Sequence, residues 1–193
     1  MNSVISSERQ SQQFEYPPTI AIEGNSAYLR LTTEADAEEL YATLDANREH
    51  LEKYQHFQLA GITPESVKEI VKRTVASIRD GSRLQYRIIK DEHLIGNVNF
   101  YELDKELGTA NLAYWLAKDQ QGKGIAYAAS RSLVDYGFNG LGLKKIKLEI
   151  VPSNIRSEHL ARRLGAKLLD KDTRIEMVGD RKYEYRMWEI KRG

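Results

Sequence analysis

The sequence predicts a single α/β (or α+β) domain in which a mixed sheet carries helices on its faces. The chain has 193 residues, which is a usual length for one domain. Hydrophobic residues make up 41% of it and charged residues 30%, so the chain can bury a core. Segments with a hydrophobic period of two alternate with segments of helical period in the order ββααβββαβαββ, which is typical of a sheet covered by helices.

The first part of the domain predicts a hairpin followed by two helices. The segments TIAI and AYLRL flank the turn residues 23–26. Thr33, followed by acidic residues and by apolar residues at helical spacing, predicts a helix start. Thr63, which stands before a proline, predicts a second helix start, and Gly81 ends that helix.

The rest of the domain predicts three strands and then a βαβ-like series. From Gln85 the strands are LQYRIIK, HLIGNVNFYEL and TANLAYWLA, and the third is apolar on both faces, which indicates a central position. A helix from Ile125 to Gly140, the strand KKIKLEIV and the helix IRSEHLARRLG, closed by Gly165, come next. Two strands around a Gly-Asp turn follow.

The N-terminal segment differs in composition from the rest of the chain. Residues 1–18 are rich in Ser, Gln and Glu and end in two prolines. This composition predicts a flexible N-terminal tail, followed by a domain of residues 19–193.

Composition and spacing exclude several classes of function. The 29 Lys and Arg residues nearly balance 28 Asp and Glu residues, which argues against a general nucleic-acid binder. The chain has no cysteine, so it forms no disulfide, thiolate metal site or thioacyl-enzyme, and its four histidines lack metal-site spacing. Apolar stretches fall short of the roughly 18 residues that span a membrane, and the N-terminus lacks a secretory apolar region. We therefore expect a cytoplasmic protein.

The segment from residue 114 to residue 138 is the most informative for function. A buried strand runs into a loop with Gly122 and Gly124 and then directly into a helix. Amide groups at a helix N-terminus bind phosphates, and glycines let a phosphate approach closely. The P-loop pattern is absent, and Tyr127 stands where a dinucleotide fingerprint needs glycine. The loop instead has the form [QR]-x-x-G-x-[GA] at residues 121–126.

In this setting the loop resembles the pyrophosphate loop of the GCN5-related N-acetyltransferase (GNAT) superfamily. The resemblance extends from about Tyr28 to Lys191. The segments AYWLAKDQQGKGIA, KLEIVPSN and RRLGA look most like the branch that includes the ribosomal-protein N-acetyltransferases RimJ and RimL. The resemblance implies a mixed central sheet of about seven strands, splayed between the fourth and fifth strands and flanked by four helices. It also implies acetyl-CoA as the acetyl donor and no metal.

The resemblance further implies which residues contact acetyl-CoA. Backbone amides of the loop would hold the pyrophosphate, and the end of the preceding strand would pair with the pantetheine arm. Asn154 would contact that arm from the next helix start, where it also fits an N-cap. The implied cofactor-binding residues are Trp115, Leu116, Ala117, Gln121, Gly122, Lys123, Gly124, Ile125, Ala126 and Asn154.

Two residues are predicted to act in catalysis by the same resemblance. Glu149 matches a glutamate that acts as general base, although it also fits an exposed carboxylate paired with Lys147 or Arg156. Ser157 matches a serine that faces the CoA sulfur, although a serine early in a helix also serves as a first-turn hydrogen bonder. Ala161 stands where many family members place a tyrosine, so the usual phenol is missing.

The acceptor is predicted less narrowly than the donor. Tyr54, His56 and Phe57 follow the first helix and are either acceptor contacts or core residues. The preferred acceptor is a protein N-terminal α-amine, such as that of a ribosomal protein, attacked directly on acetyl-CoA. A small amine (polyamine, amino acid or antibiotic) and a non-catalytic acyl-CoA-binding module are the alternatives. We expect no direct nucleic-acid or membrane partner. The sequence does not determine the oligomeric state, for which a homodimer is one candidate.

Overall fold

The strands of the described residues form one mixed sheet with the order β1-β2-β3-β4-β5-β6-β8-β7. The computed structural model describes residues 15–53, 59, 61–178 and 181–193. The strands and helices in chain order are β1 Thr19–Ala21, β2 Tyr28–Leu31, α1 Ala37–Ala46, α2 Arg48–Glu52, α3 Pro64–Arg79, β3 Leu84–Lys90, β4 His93–Asp104, β5 Thr109–Leu116, α4 Ile125–Asn139, β6 Lys145–Ile150, α5 Ile155–Arg163, β7 Lys167–Val178 and β8 Arg181–Lys191.

The predicted helix signals correspond to real caps. The Thr63 hydroxyl accepts a hydrogen bond from Ser66 N at 3.2 Å, and the Ser66 hydroxyl accepts one from Thr63 N at 2.9 Å. This reciprocal pair satisfies two amides at the start of α3. The helix ends before Gly81, which has a φ of 81°. A residue in this left-handed conformation stops a helix with little strain only when it is glycine.

Apolar side chains cover both faces of the sheet. On one face, α4 and α5 pack through residues such as Leu133 and Ala161 against Ile146 and Leu148 of β6. On the other face, α1, α2 and α3 form a second cluster around Trp115 of β5, and this cluster also includes Leu40, Leu51, Val67 and Val71. Burial of these side chains is the main favourable contribution to folding.

A polar network lies buried on the same face as α1 and α3. Arg87 is 1% exposed, and its Nε donates to Asp36 Oδ2 at 3.3 Å. Its Nη1 donates to Asn97 Oδ1 at 3.2 Å, and Asn97 in turn donates to Asn99 Oδ1 at 3.0 Å. Burial lowers the pKa of Arg87, and the charge of Asp36 opposes that effect. The ion pair therefore compensates a charge that would otherwise be buried alone.

The two parallel strands part after a short paired stretch. Strands β5 and β6 pair only through 109–111 and 145–147, and beyond these residues the two strands have no mutual register. The predicted splay is confirmed. The sheet has eight strands rather than about seven because the three-residue β1 adds an edge strand, so the splay lies between the fifth and sixth strands. The described residues also form five α-helices rather than four, since the short α2 follows α1.

The last residues of the predicted N-terminal tail, residues 15–18, contact the domain. Tyr16 is only 9% exposed and belongs to the main core cluster. Tyr86 donates its hydroxyl hydrogen to Pro17 O at 2.9 Å, and Leu31 N donates to Pro18 O at 2.8 Å. Residues 15–18 therefore pack with the domain. Residues 1–14 lie outside the described residues, and a flexible tail there stays a prediction.

Candidate active site

A cavity of about 410 Å³ opens beside the end of β5. Its walls come from β5, the loop before α4, the first turn of α4, the start of α5, and α2. Nine of the residues predicted from the sequence line it, namely Trp115, Leu116, Gln121, Gly122, Gly124, Ile125, Ala126, Asn154 and Ser157. The structure thus brings together residues that lie far apart in the sequence. The predicted cofactor-binding and catalytic residues outside the lining are Ala117, Lys123 and Glu149.

The glycine loop has the geometry of an anion site. Gly122 and Gly124 have φ values of 75° and 76°. A Cβ built on either glycine would meet no atom within 4 Å, so the space beside the loop is open. The first hydrogen bond of α4 runs from Ala128 N to Gly124 O at 3.0 Å, so the amides of 125–127 precede the first donor within the helix. Such amides carry partial positive charge and bind phosphates.

The free edge of β5 presents backbone groups toward the splay. Ala117 N donates to Ile95 O of β4 at 2.8 Å. Because backbone groups of successive residues in a strand point to alternate sides, the amide and carbonyl of Leu116 point away from β4. Among the three strand-end residues predicted to contact the donor, Leu116 therefore has its backbone groups on the open edge.

The Gln121 side chain connects helices α2 and α5 at the cavity. Its Oε1 accepts a hydrogen bond from Arg156 Nη1 at 2.6 Å, and its Nε2 lies 2.6 Å from His50 Nε2. Since arginine only donates, the oxygen of Gln121 faces Arg156 and the nitrogen faces His50. The His50 Nε2 atom therefore accepts this hydrogen bond. The sequence pattern implied a role for the backbone of Gln121 only, and nothing in it indicated that His50 lines the cavity.

The charges around His50 favour its neutral form. Burial lowers the pKa of His50 below its ordinary value, and the positive charges of Lys118, Arg156 and Lys53 lower it further. A neutral imidazole has one acceptor nitrogen, which agrees with the hydrogen bond from Gln121.

Asn154 and Ser157 lie together at the start of α5. The Asn154 side chain accepts a hydrogen bond from Ser157 N at 3.2 Å, so Asn154 is the N-cap of the helix. Both residues line the cavity, so the cap does not exclude a contact with a ligand. The cap fixes where the helix begins and thereby holds Ser157 at the cavity wall.

Tyr114 is a cavity residue that the sequence analysis did not identify. It lies on β5, lines the cavity and interacts with Ser157. Burial raises the pKa of its phenol to about 12, and the interaction with Ser157 opposes this rise. Nothing in the local sequence pattern distinguishes Tyr114 from an ordinary core tyrosine.

Glu149 lies outside the cavity lining and has a partner that the sequence analysis did not propose. Its Oε2 accepts a hydrogen bond from Arg174 Nη1 at 2.6 Å, and its side chain is 11% exposed. Leu148 and Ile150 belong to the core beneath α4 and α5, so Glu149 points to the opposite face of the sheet. It also raises the pKa of Tyr101 on that face, although burial of the phenol is the larger cause. The paired carboxylate therefore lies on the face of the sheet that carries α1–α3 and outside the lining of the cavity.

Three further points concern the predicted acceptor residues, metal ions and membranes. Tyr54, His56 and Phe57 lie outside the described residues. Within the described ranges, no three His, Asp or Glu side chains cluster in a way that would hold a metal ion. None of the helices in the described part of the chain is both long and apolar enough to cross a membrane.

Comparison with known proteins identifies the class of this site. The acetyltransferase (GNAT) domain family matches residues 27–167, so the chain belongs to the GNAT acetyltransferase family. The predicted resemblance is thereby confirmed, and the chain is an N-acetyltransferase that uses acetyl-CoA.

Three relatives illustrate the similarity. The "Putative ribosomal N-acetyltransferase YdaF" of Bacillus subtilis (strain 168) is 28% identical over 138 residues, which are 71% of this chain and 75% of the relative. A spermidine N(1)-acetyltransferase of Escherichia coli (strain K12) is 31% identical over 88 residues, or 46% of this chain and 47% of the relative. The solved structure of RimL, a ribosomal L7/L12 alpha-N-protein acetyltransferase in complex with coenzyme A, superposes with a TM-score of 0.82 at 18% identity and covers 90% of this chain and 97% of RimL. This last likeness shows the fold.

The residues present fit a CoA thioester. The open space beside Gly122 and Gly124 and the free amides at the start of α4 suit a pyrophosphate. The outward backbone groups of Leu116 suit an arm that carries amides of its own. The cavity continues to Ser157.

Proposed function

We propose that this N-acetyltransferase transfers the acetyl group of acetyl-CoA to the N-terminal α-amine of a protein, such as a ribosomal protein, in the cytoplasm. The observation that carries the acceptor class is the pairing of Glu149 with Arg174 at 2.6 Å. The proposed base is thus a largely buried carboxylate held in an ion pair. Carboxylates are weak bases, with ordinary pKa values of about 4.3 for glutamate.

A weak base favours an acceptor that loses its proton easily. An α-ammonium group has an ordinary pKa of about 7.7–8.0, whereas a lysine-type ammonium has one of about 10.4. At neutral pH the α-amine is already neutral in a sizeable fraction of molecules, so Glu149 or a water chain suffices to remove the proton. YdaF is named a putative ribosomal N-acetyltransferase and RimL an alpha-N-protein acetyltransferase. Both names support the same acceptor.

We also propose roles for the donor-side residues, which their geometry supports. We assign the pyrophosphate to the amides of residues 121–126 and the pantetheine arm to the open edge of β5 and to Asn154. With no cysteine in the chain, the amine attacks the thioester directly. A nitrogen–carbon bond forms, the carbon–sulfur bond breaks, and the amine proton leaves through Glu149 or water. Ser157 stabilises the negative charge that develops on the sulfur.

A small amine is the second candidate acceptor, because a spermidine acetyltransferase is among the relatives. Its ammonium groups are harder to deprotonate, which disfavours it with a carboxylate as the base.

Release of free thiol from acetyl-CoA tests the acceptor. The assay would compare short peptides that begin with Ser, Ala or Met, the same peptides with a blocked N-terminus, and spermidine. We expect turnover with the free peptides and none with the blocked ones. Faster turnover with spermidine than with every peptide would contradict the proposal and indicate a small amine as the acceptor.

A further inference from the structure

The Tyr114 hydroxyl is a buried polar group that the proposed chemistry does not yet use. The tyrosine lies on β5 beside the splay and lines the cavity. Its hydroxyl oxygen is buried and has no hydrogen bond of acceptable geometry within the described part of the protein. Ser157 is the side chain with which it interacts. A buried hydroxyl without a hydrogen bond destabilises the folded state, and a phenylalanine would fill the same volume without that cost.

Helix α5 carries no tyrosine beside Ser157, and the phenol of Tyr114 on β5 lies there instead. Ser157 and Ala161 are four residues apart and therefore lie on the same face of the helix. Ala161 is fully buried, and the Tyr114 ring packs against the core cluster to which it belongs. Alanine at position 161 supplies no phenol beside Ser157. In this chain the phenol therefore approaches α5 from the strand.

We propose that Tyr114 is a positioning residue that donates a hydrogen bond to Ser157 Oγ during acetyl transfer. A serine hydroxyl can accept a hydrogen bond and donate one at the same time. When its oxygen accepts from Tyr114, its own hydrogen is directed away from the phenol and toward the sulfur. The inference rests on the proposed role of Ser157 at the sulfur.

Tyr114 acts in this scheme without losing its proton. Because its pKa is about 12, the phenol stays protonated throughout the range in which the enzyme operates. The electron pair of the breaking carbon–sulfur bond goes to sulfur, and the thiolate takes its proton from solvent. The contribution of Tyr114 is to orient Ser157, so it appears when negative charge develops on sulfur and not when acetyl-CoA binds.

Kinetics of three variants test the inference, namely Tyr114→Phe, Ser157→Ala and the double variant. Tyr114→Phe should lower kcat by about 2- to 10-fold, the effect of one hydrogen bond, with an unchanged KM for acetyl-CoA. The double variant should be no slower than Ser157→Ala, because both changes remove the same interaction. The effect of Tyr114→Phe should be constant from pH 6 to 9. Tyr136→Phe, which alters a phenol on α4 outside the cavity lining, is the matched control and should keep full activity.

The outcomes separate the inference from the role of Ser157 on which it rests. A slow Ser157→Ala variant together with a fully active Tyr114→Phe variant overturns the role of Tyr114 alone. Multiplicative losses in the double variant also overturn it, since Tyr114 would then act independently of Ser157. A fully active Ser157→Ala variant overturns the role of Ser157 and the inference with it. Thermal unfolding serves as the folding check, and Tyr114→Phe should be at least as stable as the wild type.

Discussion

The Gln121 amide nitrogen lies 2.6 Å from His50 Nε2 and joins parts of the chain that are 71 residues apart. This contact links α2 to the glycine loop. A second contact reinforces it, because Lys118 N donates to Asn47 Oδ1 at 2.8 Å. Helix α2 leads toward the segment where acceptor contacts are predicted. The loop that we assign to the donor is thus tied to the acceptor side of the domain.

The pKa of His50 predicts a specific loss of stability in acid. Because this pKa is lowered in the folded protein, the unfolded chain binds a proton at higher pH than the folded chain does. The free energy of unfolding should therefore fall as the pH decreases below about 6.5. His50→Gln should lack this part of the pH dependence in urea unfolding between pH 7.5 and 5, whereas His93→Gln, a change at an exposed strand end, should keep it. Parallel curves for His50→Gln and the wild type would contradict this assignment.

A carboxylate placed on the glycine loop should abolish donor binding. Gly124→Glu brings a negative charge to the space that we assign to the pyrophosphate, and calorimetric titration with CoA should detect no binding. The left-handed φ of 76° adds backbone strain to this variant. Gly24→Glu is the matched control, because Gly24 has a φ of 67° and open space but lies in the β1–β2 turn. Equal CoA affinity of the two variants would show that the phosphates bind elsewhere.

Removal of the Glu149 carboxylate should slow catalysis. Glu149→Gln should lower kcat by about 10- to 1000-fold with little change in CoA affinity, as expected for a general base. The measurement is steady-state thiol release from pH 6 to 9 with a peptide acceptor. Glu189→Gln, which also alters an ion-paired glutamate on the C-terminal half of the sheet, is the control and should remain active. A near-normal rate for Glu149→Gln would leave water as the base.

The buried ion pair predicts a large effect on stability. Asp36→Asn leaves the Arg87 guanidinium buried without a counter-charge and weakens the contact between Asp36 and Arg30. Loss of one partner of a buried pair typically costs about 3–5 kcal/mol. Urea unfolding should show that loss. Asp135→Asn, at an exposed pair on α4, should change the free energy of unfolding by less than about 1 kcal/mol. A small effect of Asp36→Asn would mean that water solvates Arg87.

The donor side of the site was predictable from local sequence patterns. The remaining contacts of the site depend on tertiary structure and were not. The glycine loop was predictable because a strand, two glycines and a helix start are adjacent in the sequence. The partner of Glu149 was not, because Arg174 reaches it from β7, 25 residues later. The contact between Tyr114 and Ser157 was not predictable for the same reason, since it depends on how α5 lies relative to β5. The caps at Thr63 and Asn154 were predictable because each involves residues within one turn.

The strand order at the C-terminal edge has a consequence for how the protein is made. Strand β8 lies between β6 and β7, so these two strands have no direct hydrogen bonds in the described structure. Strand β8 follows β6 and β7 in the chain, so β6 and β7 each keep an unpaired edge until β8 inserts between them. The sheet region that carries Glu149 is therefore complete only when β8 is in place. A chain that ends before β8 would expose two unpaired strand edges, which are able to pair with strands of other chains.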